Sequence, residues 1–404
     1  MFMKLLYRAV FLLLAGLLGA QESEVIYLTW VGDPTSTITV LWHTTKRSSP
    51  DQLTYYLKGS SQSWVAQAEA WRVDGTETYV HRVDLQGLQE DSLYLFKIEG
   101  DRREYSFKTM PRLLTRAVRF AVGGDAYYYW GTEVFKRMNQ MIKAHDPDFY
   151  VIGGDLAYTI GKKRLLRGRG WELHRWQMFF RMLQRTIRGP EGRLIPFLPV
   201  VGNHDVKSNS SKVQMFYELF AFPEAGKAYR SLDFGKYLQL ILLDTGHTTP
   251  IAGEQTEWLG QRLQASEAAY TMLMYHVSAY PSYYPFLNKT SDLLRENWVP
   301  LFEKYRLPVA FEHHNHCYKK THPLKDGKVD PAGVVYLGDG SWGVAPREPK
   351  LNLWYMEKVA SINSVYIVTL SEKECTVEAK TSQGDTLDRM VIRPAERAMS
   401  LQEQ

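Results

Sequence analysis

The sequence predicts an all-β sandwich followed by an α/β domain, and three observations carry that prediction. Roughly the first hundred residues hold short alternating strands broken by Gly, Asp, Pro and Ser turns. After Pro111 helical and strand patterns alternate, and five apolar runs end in side chains able to bind a metal. With 404 residues there is room for two cores, and 45% hydrophobic with 23% charged residues excludes a disordered or fibrous chain. The net charge of +5 does not describe a nucleic-acid binder. One stretch departs from this balance: residues 161–190 carry nine Lys or Arg against Glu172 alone, a local +8. That charge either steers anionic substrates or belongs to a solvated loop.

At the start of the chain, Lys4 and Arg8 flank the beginning of an apolar segment, residues 9–18, and Gly19-Ala20-Gln21 follows. This is the pattern of a secretory signal peptide over residues 1–20, since a spanning anchor needs about 20 apolar residues. A secreted, periplasmic or otherwise extracytoplasmic protein is expected, with no transmembrane segment after its removal. Seven strands are expected at 25–30, 37–42, 53–57, 64–68, 78–83, 92–98 and 105–109, which make a β-sandwich over residues 21–112. Residues 85–96 resemble the fibronectin type III pattern, with Tyr94 as the corner tyrosine. His43 and His81 fall in strand patterns and read as packing histidines, so this region is a spacer or docking module.

The α/β domain is expected over residues 113–396, with a tail at 397–404. Strands at 118–124 and 149–153 bracket a helix at 132–144. Leu173, Trp176, Phe180, Leu183 and Ile187 then recur at helical spacing within 171–188. Strands resume without helices at 364–370, 375–380 and 387–393, consistent with the second sheet of a layered domain.

The ends of the five apolar runs supply Asp125, Asp155, Tyr158, Asn203, His204, His276, His314 and His316. In an α/β sheet such residues converge beyond the strand ends. Any one of them alone would be an ordinary polar residue; five such strand ends together in the right context are not. Carboxylate, phenol, amide and imidazole without thiolate form an oxygen and nitrogen donor set suited to Fe, Mn or Zn, and large enough for two ions. His313 reads as a neighbour of the donors and not as one. The two cysteines, Cys317 and Cys375, define no disulfide framework, and whether they pair is open.

The series Gly124-Asp125, Gly154-Asp155-Leu156-Ala157-Tyr158, Gly202-Asn203-His204-Asp205, Tyr275-His276 and His314-Asn315-His316 resembles the five metal-binding motifs of the calcineurin-like metallophosphoesterases. Tyr158, three places after Asp155, and the fibronectin-like region in front look like the purple acid phosphatase branch. The resemblance implies a layered α-β-β-α domain with two metal ions, Fe(III) in a first site and a divalent Fe, Zn or Mn in the second. Asp125, Asp155, Tyr158 and His316 would hold the first ion and Asp155, Asn203, His276 and His314 the second, with Asp155 bridging. Such a pair clamps phosphate oxygens and activates water. His204 would stabilise the phosphoryl charge or protonate the leaving alkoxide. The implied substrate is a phosphate monoester; the alternatives are a phosphodiesterase and a non-catalytic surface or adhesion protein on a relic fold. Two departures matter: Ala126-Tyr127 and His313 stand where glycine is usual, and residues 281–286 lack a histidine pair found in plant members. Tyr127, Tyr128 or Tyr283 are expected to shape the substrate pocket instead. Oligomeric state is left open.

Overall fold

The computed structural model describes residues 25–45, 51–127, 131–160, 169–207, 211–338 and 340–394. The expected signal peptide, the tail, Tyr128 and cationic positions 162–167 lie outside them. No helix among the described residues is long and apolar enough to cross a membrane.

The N-terminal region has eight strands: β1 (Val25–Thr29), β2 (Ile38–Thr44), β3 (Gln52–Leu57), β4 (Trp64–Gln67), β5 (Glu69–Arg72), β6 (Tyr79–Leu85), β7 (Leu93–Ile98) and β8 (Tyr105–Lys108). They form two antiparallel four-stranded sheets, ordered β1-β2-β6-β5 and β4-β3-β7-β8. The strand predicted at 64–68 is β4, which pairs with β3; an eighth strand that was not predicted, β5, follows Ala68 and pairs with β6. The Gln89 N–H donates to the Tyr94 hydroxyl at 2.8 Å, as a corner tyrosine requires. His81 is buried against Asp51 at 2.9 Å and stacks on Trp42, and His43 is buried beside the Tyr27 hydroxyl at 3.2 Å. Tyr27 stacks at 4.3 Å on Phe180 of the next region and donates to the Leu219 carbonyl, docking the sandwich onto the α/β layers.

The second region contains β9 (Val118–Gly123), α1 (Thr132–Ala144), β10 (Phe149–Gly153), α2 (Arg169–Thr186), β11 (Phe197–Val200), α3 (Ser211–Leu219), β12 (Arg230–Phe234), β13 (Leu238–Leu242), α4 (Glu254–Gln264), β14 (Tyr270–Met274), α5 (Lys289–Asn297), α6 (Val299–Lys304), β15 (Val309–Glu312) and β16 (Tyr318–Thr321). A small hairpin, β17 (Leu324–Lys325) and β18 (Lys328–Val329), precedes β19 (Val335–Gly338), β20 (Met356–Ala360), β21 (Ser364–Leu370), β22 (Cys375–Thr381) and β23 (Thr386–Ile392). Two sheets result, ordered β11-β10-β9-β21-β22-β23 and β12-β13-β14-β15-β19-β16-β20. Strands β9, β10 and β11 run parallel, as do β13, β14, β15 and β19. Pro199, which cannot donate to a ladder, sits in the edge strand β11.

The C-terminal strands correct the expectation of a separate sheet, because β21 pairs antiparallel with β9 and extends the first sheet. Alternation in β21 to β23 reveals strands but not their partner. Phe120, Val122, Phe149 and Val151 face Leu240, Met272, Met274 and Phe311 between the sheets. Ala121, Tyr150 and Ile152 face the helical layer that holds Phe135, Met138, Trp176 and Phe180. Leu259, Leu294, Trp298 and Phe302 cover the other sheet. Each such fully buried large side chain contributes about 1.5–3 kcal/mol, which is why these strands read as continuous apolar runs. Cys317 and Cys375 are both buried and free.

Candidate metal centre

The donors leave the carboxyl ends of parallel strands: Asp125 after β9, Asp155 and Tyr158 after β10, Asn203 and His204 after β11, His276 after β14, His314 and His316 after β15. Five of them adopt left-handed backbone, with φ of 54° at Asp125, 51° at Asp155, 48° at Tyr158, 72° at His314 and 58° at His316. Each such residue costs about 1–3 kcal/mol, so the surroundings must impose the conformation. The first two turns are bonded together, Asp125 N–H to the Gly154 carbonyl at 2.9 Å and Ala126 N–H to the Asp155 carbonyl at 3.0 Å. Asp205 ties the second turn to the third, accepting from Leu156 N–H at 2.8 Å through Oδ1 and from Gly202 N–H at 3.0 Å through Oδ2. Close packing explains Gly202, where a Cβ would lie 2.2 Å from the Asp155 nitrogen. His313 fills the space left by two glycines: a Cβ on Gly153 would lie 1.9 Å from its ring.

Two donor clusters result. In the first, the Tyr158 hydroxyl donates to Asp125 Oδ1 at 2.7 Å and lies 3.0 Å from His316 Nε2, itself 2.7 Å from Asp125 Oδ1. In the second, donor atoms of Asp155, His276 and His314 lie within 4.8 Å of one another, and Asn203 Oδ1 is 3.1 Å from His276 Nε2. The His276 Nδ1 lies 2.9 Å from the Gly153 carbonyl, so Nδ1 carries the proton and Nε2 is the site-facing nitrogen. Asp155 Oδ2 is buried and accepts no hydrogen bond, its cationic neighbour being His276 Nε2 at 3.4 Å. A buried carboxylate oxygen with an unfilled acceptor position, grouped with two imidazoles and an amide oxygen, is a donor set that fits a metal.

Protonation follows the same logic. Burial would lower His276, but Asp155 and then Asp125 raise it to about 10. Burial, then the His276 charge, lowers His314 to about 3, keeping it a neutral imidazole. Burial and the charges of Asp125 and Asp155 push the Tyr158 phenol well above its ordinary range. With only protein groups around it the phenol stays protonated, and a cation must displace that proton for it to ligate.

His204 stacks on Tyr158 at 4.7 Å, with its backbone N–H on Asp155 Oδ1 at 2.6 Å and Nδ1 on the Ile160 carbonyl at 2.9 Å. A cavity of about 300 Å³ opens beside the second cluster, lined by Asn203, His247, Ser278, Tyr284, Asn288 and His314. His247 was not among the predicted residues, although it follows β13 by the same rule, an apolar run ending in Asp244-Thr245-Gly246-His247. Its ring lies 5.8 Å from that of His276. Tyr127, expected to shape the pocket, is instead 2% exposed and packed against Phe135 and Phe179, since its N–H bonds to the Leu156 carbonyl behind the turn. Tyr283 is 38% exposed beneath the Arg347 guanidinium. Asn315 fixes this loop, accepting from Tyr283 N–H at 3.1 Å.

Fold and donors together define the class of a metal-dependent phosphoester hydrolase. Residues 118–318 match the calcineurin-like phosphoesterase family model and residues 23–109 the purple acid phosphatase N-terminal domain. Purple acid phosphatase 18 of Arabidopsis thaliana is 23% identical over 80% of this chain and 72% of its own length. The purple acid phosphatase from yellow lupin seeds superposes with a TM-score of 0.77 at 16% identity, covering 95% of this chain and 76% of that one. PhoD superposes with a TM-score of 0.65 at 11% identity over 93% and 90%. The chain belongs to the calcineurin-like phosphoesterases as a purple acid phosphatase-like member.

Proposed function

We propose that the protein is an exported phosphomonoesterase with two metal ions. Asp125, Asp155, Tyr158 and His316 would hold one ion and Asp155, Asn203, His276 and His314 the other. The observation that carries this reading is Asp155, whose Oδ2 is buried without a hydrogen-bond partner beside His276 and His314. Bound there, two cations would supply Lewis acidity toward phosphoryl oxygens and acidify water near neutral pH. The chain's own residues orient and exclude. Asn203, held by His276, forms part of one wall of the cavity, and the buried turns behind Asp125 and Asp155 keep bulk water out. His204, with Nδ1 committed to the Ile160 carbonyl, can give a proton from Nε2 to the leaving alkoxide when it is imidazolium. Tyr158, as phenolate, favours a hard ferric ion in the first position. Export rests on the signal-type pattern of residues 1–20.

The test is metal analysis of the purified protein together with chromogenic phosphomonoester and phosphodiester substrates. About two metals per chain with monoester turnover is expected. Failure to load any transition metal, or loading without turnover, would return the chain to the non-catalytic alternative.

A further inference from the structure

Arg347 lies against both donor clusters through the backbone. Its N–H donates to the His316 carbonyl at 2.7 Å, and its Nη1 donates to the His314 carbonyl at 3.2 Å and the Tyr284 hydroxyl at 2.9 Å. The guanidinium carbon sits 5.0 Å from the Tyr283 ring centroid and 5.3 Å from that of Tyr284. Tyr284 in turn stacks on the His314 imidazole at 4.8 Å and 19°. The side chain is thus held in a stack of guanidinium, phenol and imidazole, and its field reaches the Tyr158 hydroxyl.

The charge itself is not matched. Among the described residues no carboxylate pairs with Arg347, and its side-chain hydrogen bonds go to neutral acceptors through Nη1. The Nε–Nη2 edge, three N–H groups in a planar fork, has no acceptor among the described residues. An arginine that is half-buried, pre-oriented by stacking and unneutralised beside the donors is built to meet an anion that comes and goes.

We propose that Arg347 is a substrate-binding residue whose Nε–Nη2 fork takes two oxygens of the substrate's phosphate, selecting the dianion of a monoester over a diester. This rests on the phosphoesterase reading. A monoester presents more unesterified oxygens and, at neutral pH, a second negative charge. A diester has one charge and an extra substituent that competes for the fork.

The experiment compares wild type with Arg347→Met, which keeps length and packing without charge, and Arg347→Lys, which keeps charge without the fork. Kinetics with a monoester and a diester, inhibition by inorganic phosphate and metal content are measured on metal-loaded full-length protein. For Arg347→Met, kcat/KM for the monoester should fall about 10- to 100-fold, the loss of a charged hydrogen-bonded contact. The diester should change several-fold less, and the phosphate inhibition constant should rise in parallel at unchanged metal content. Arg347→Lys should recover part of the phosphate affinity. If wild type turns over but Arg347→Met keeps its phosphate inhibition and its monoester-to-diester ratio, the inference is wrong while the phosphoesterase reading stands. Equal losses on both substrates with unchanged phosphate affinity would reduce Arg347 to a clamp on the 283–284 loop and also overturn it. Absence of wild-type turnover removes the reading beneath it.

Discussion

Asp155→Ala is the most informative single change. It deletes the buried Oδ2 and the acceptor of the His204 N–H, so loss of turnover and of at least one metal per chain is expected. Full activity with both metals retained would refute a bridging role. Tyr158→Phe asks a different question, because a phenolate on ferric iron absorbs visible light by charge transfer. Iron-loaded wild type should be coloured, and the variant should lose the band while keeping its fold and part of its activity. A band that survives, or a colourless iron-loaded wild type, would remove Tyr158 from the ligand set. The convergence of the candidate donors was legible because each closes an apolar run, and a strand buried on both faces has few other reasons to end in Asp or His. His247 obeys the same rule and could have been found by it. Arg347 could not, lying in a loop with no periodicity to mark it. Tyr127 misled because nearness to Asp125 in the chain says nothing about which side of a tight turn a side chain takes.

Elements carry the strain of the site. Gly202→Ala would drive a Cβ to 2.2 Å from the Asp155 nitrogen and 2.3 Å from its Oδ1, displacing the turn of β10 through the turn of β11. Overpacking of this kind costs about 1–3 kcal/mol, and thermal unfolding should show it together with a reduced metal stoichiometry. Native stability with full metal content would mean that the two turns can separate freely. Strand existence was readable for β9 to β11, β14, β15 and β21 to β23, while β12, β13 and β16 to β20 went unread; strand partnership was not readable. Period-two alternation says which residues face one way, whereas the joining of β21 to β9 depends on which edge is open once the parallel strands have assembled. β5 went unread beside β4 because only Ala68 separates them and no Gly or Pro turn marks the change of partner from β3 to β6.

At the scale of the molecule, the contact between sandwich and α/β layers contains a buried ionisable group. Burial, with the charges of His81 and Arg181, lowers His43 to about 3 from its ordinary 6.5. The unfolded chain takes up a proton below pH 6.5 that the folded chain refuses, so stability is present above 6.5 and lost as pH falls toward 3. The slope is about 1.4 kcal/mol per pH unit for one such group. Chemical denaturation at pH 7 and pH 4.5 should therefore show a smaller acid loss in His43→Gln than in wild type, by about 2–3 kcal/mol. Identical losses would mean that His43 is protonated in the folded state. The centre has its own consequence at this scale. Asp125, Asp155, Tyr158 and Asn203 come from one sheet, and His276, His314 and His316 from the other. An ion held as proposed, by members of both, would be a rivet through the two plates at their mouth. Its removal would disarm the chemistry and also free the plates to gape along that edge, so proteases and hydrogen exchange would register demetallation there first.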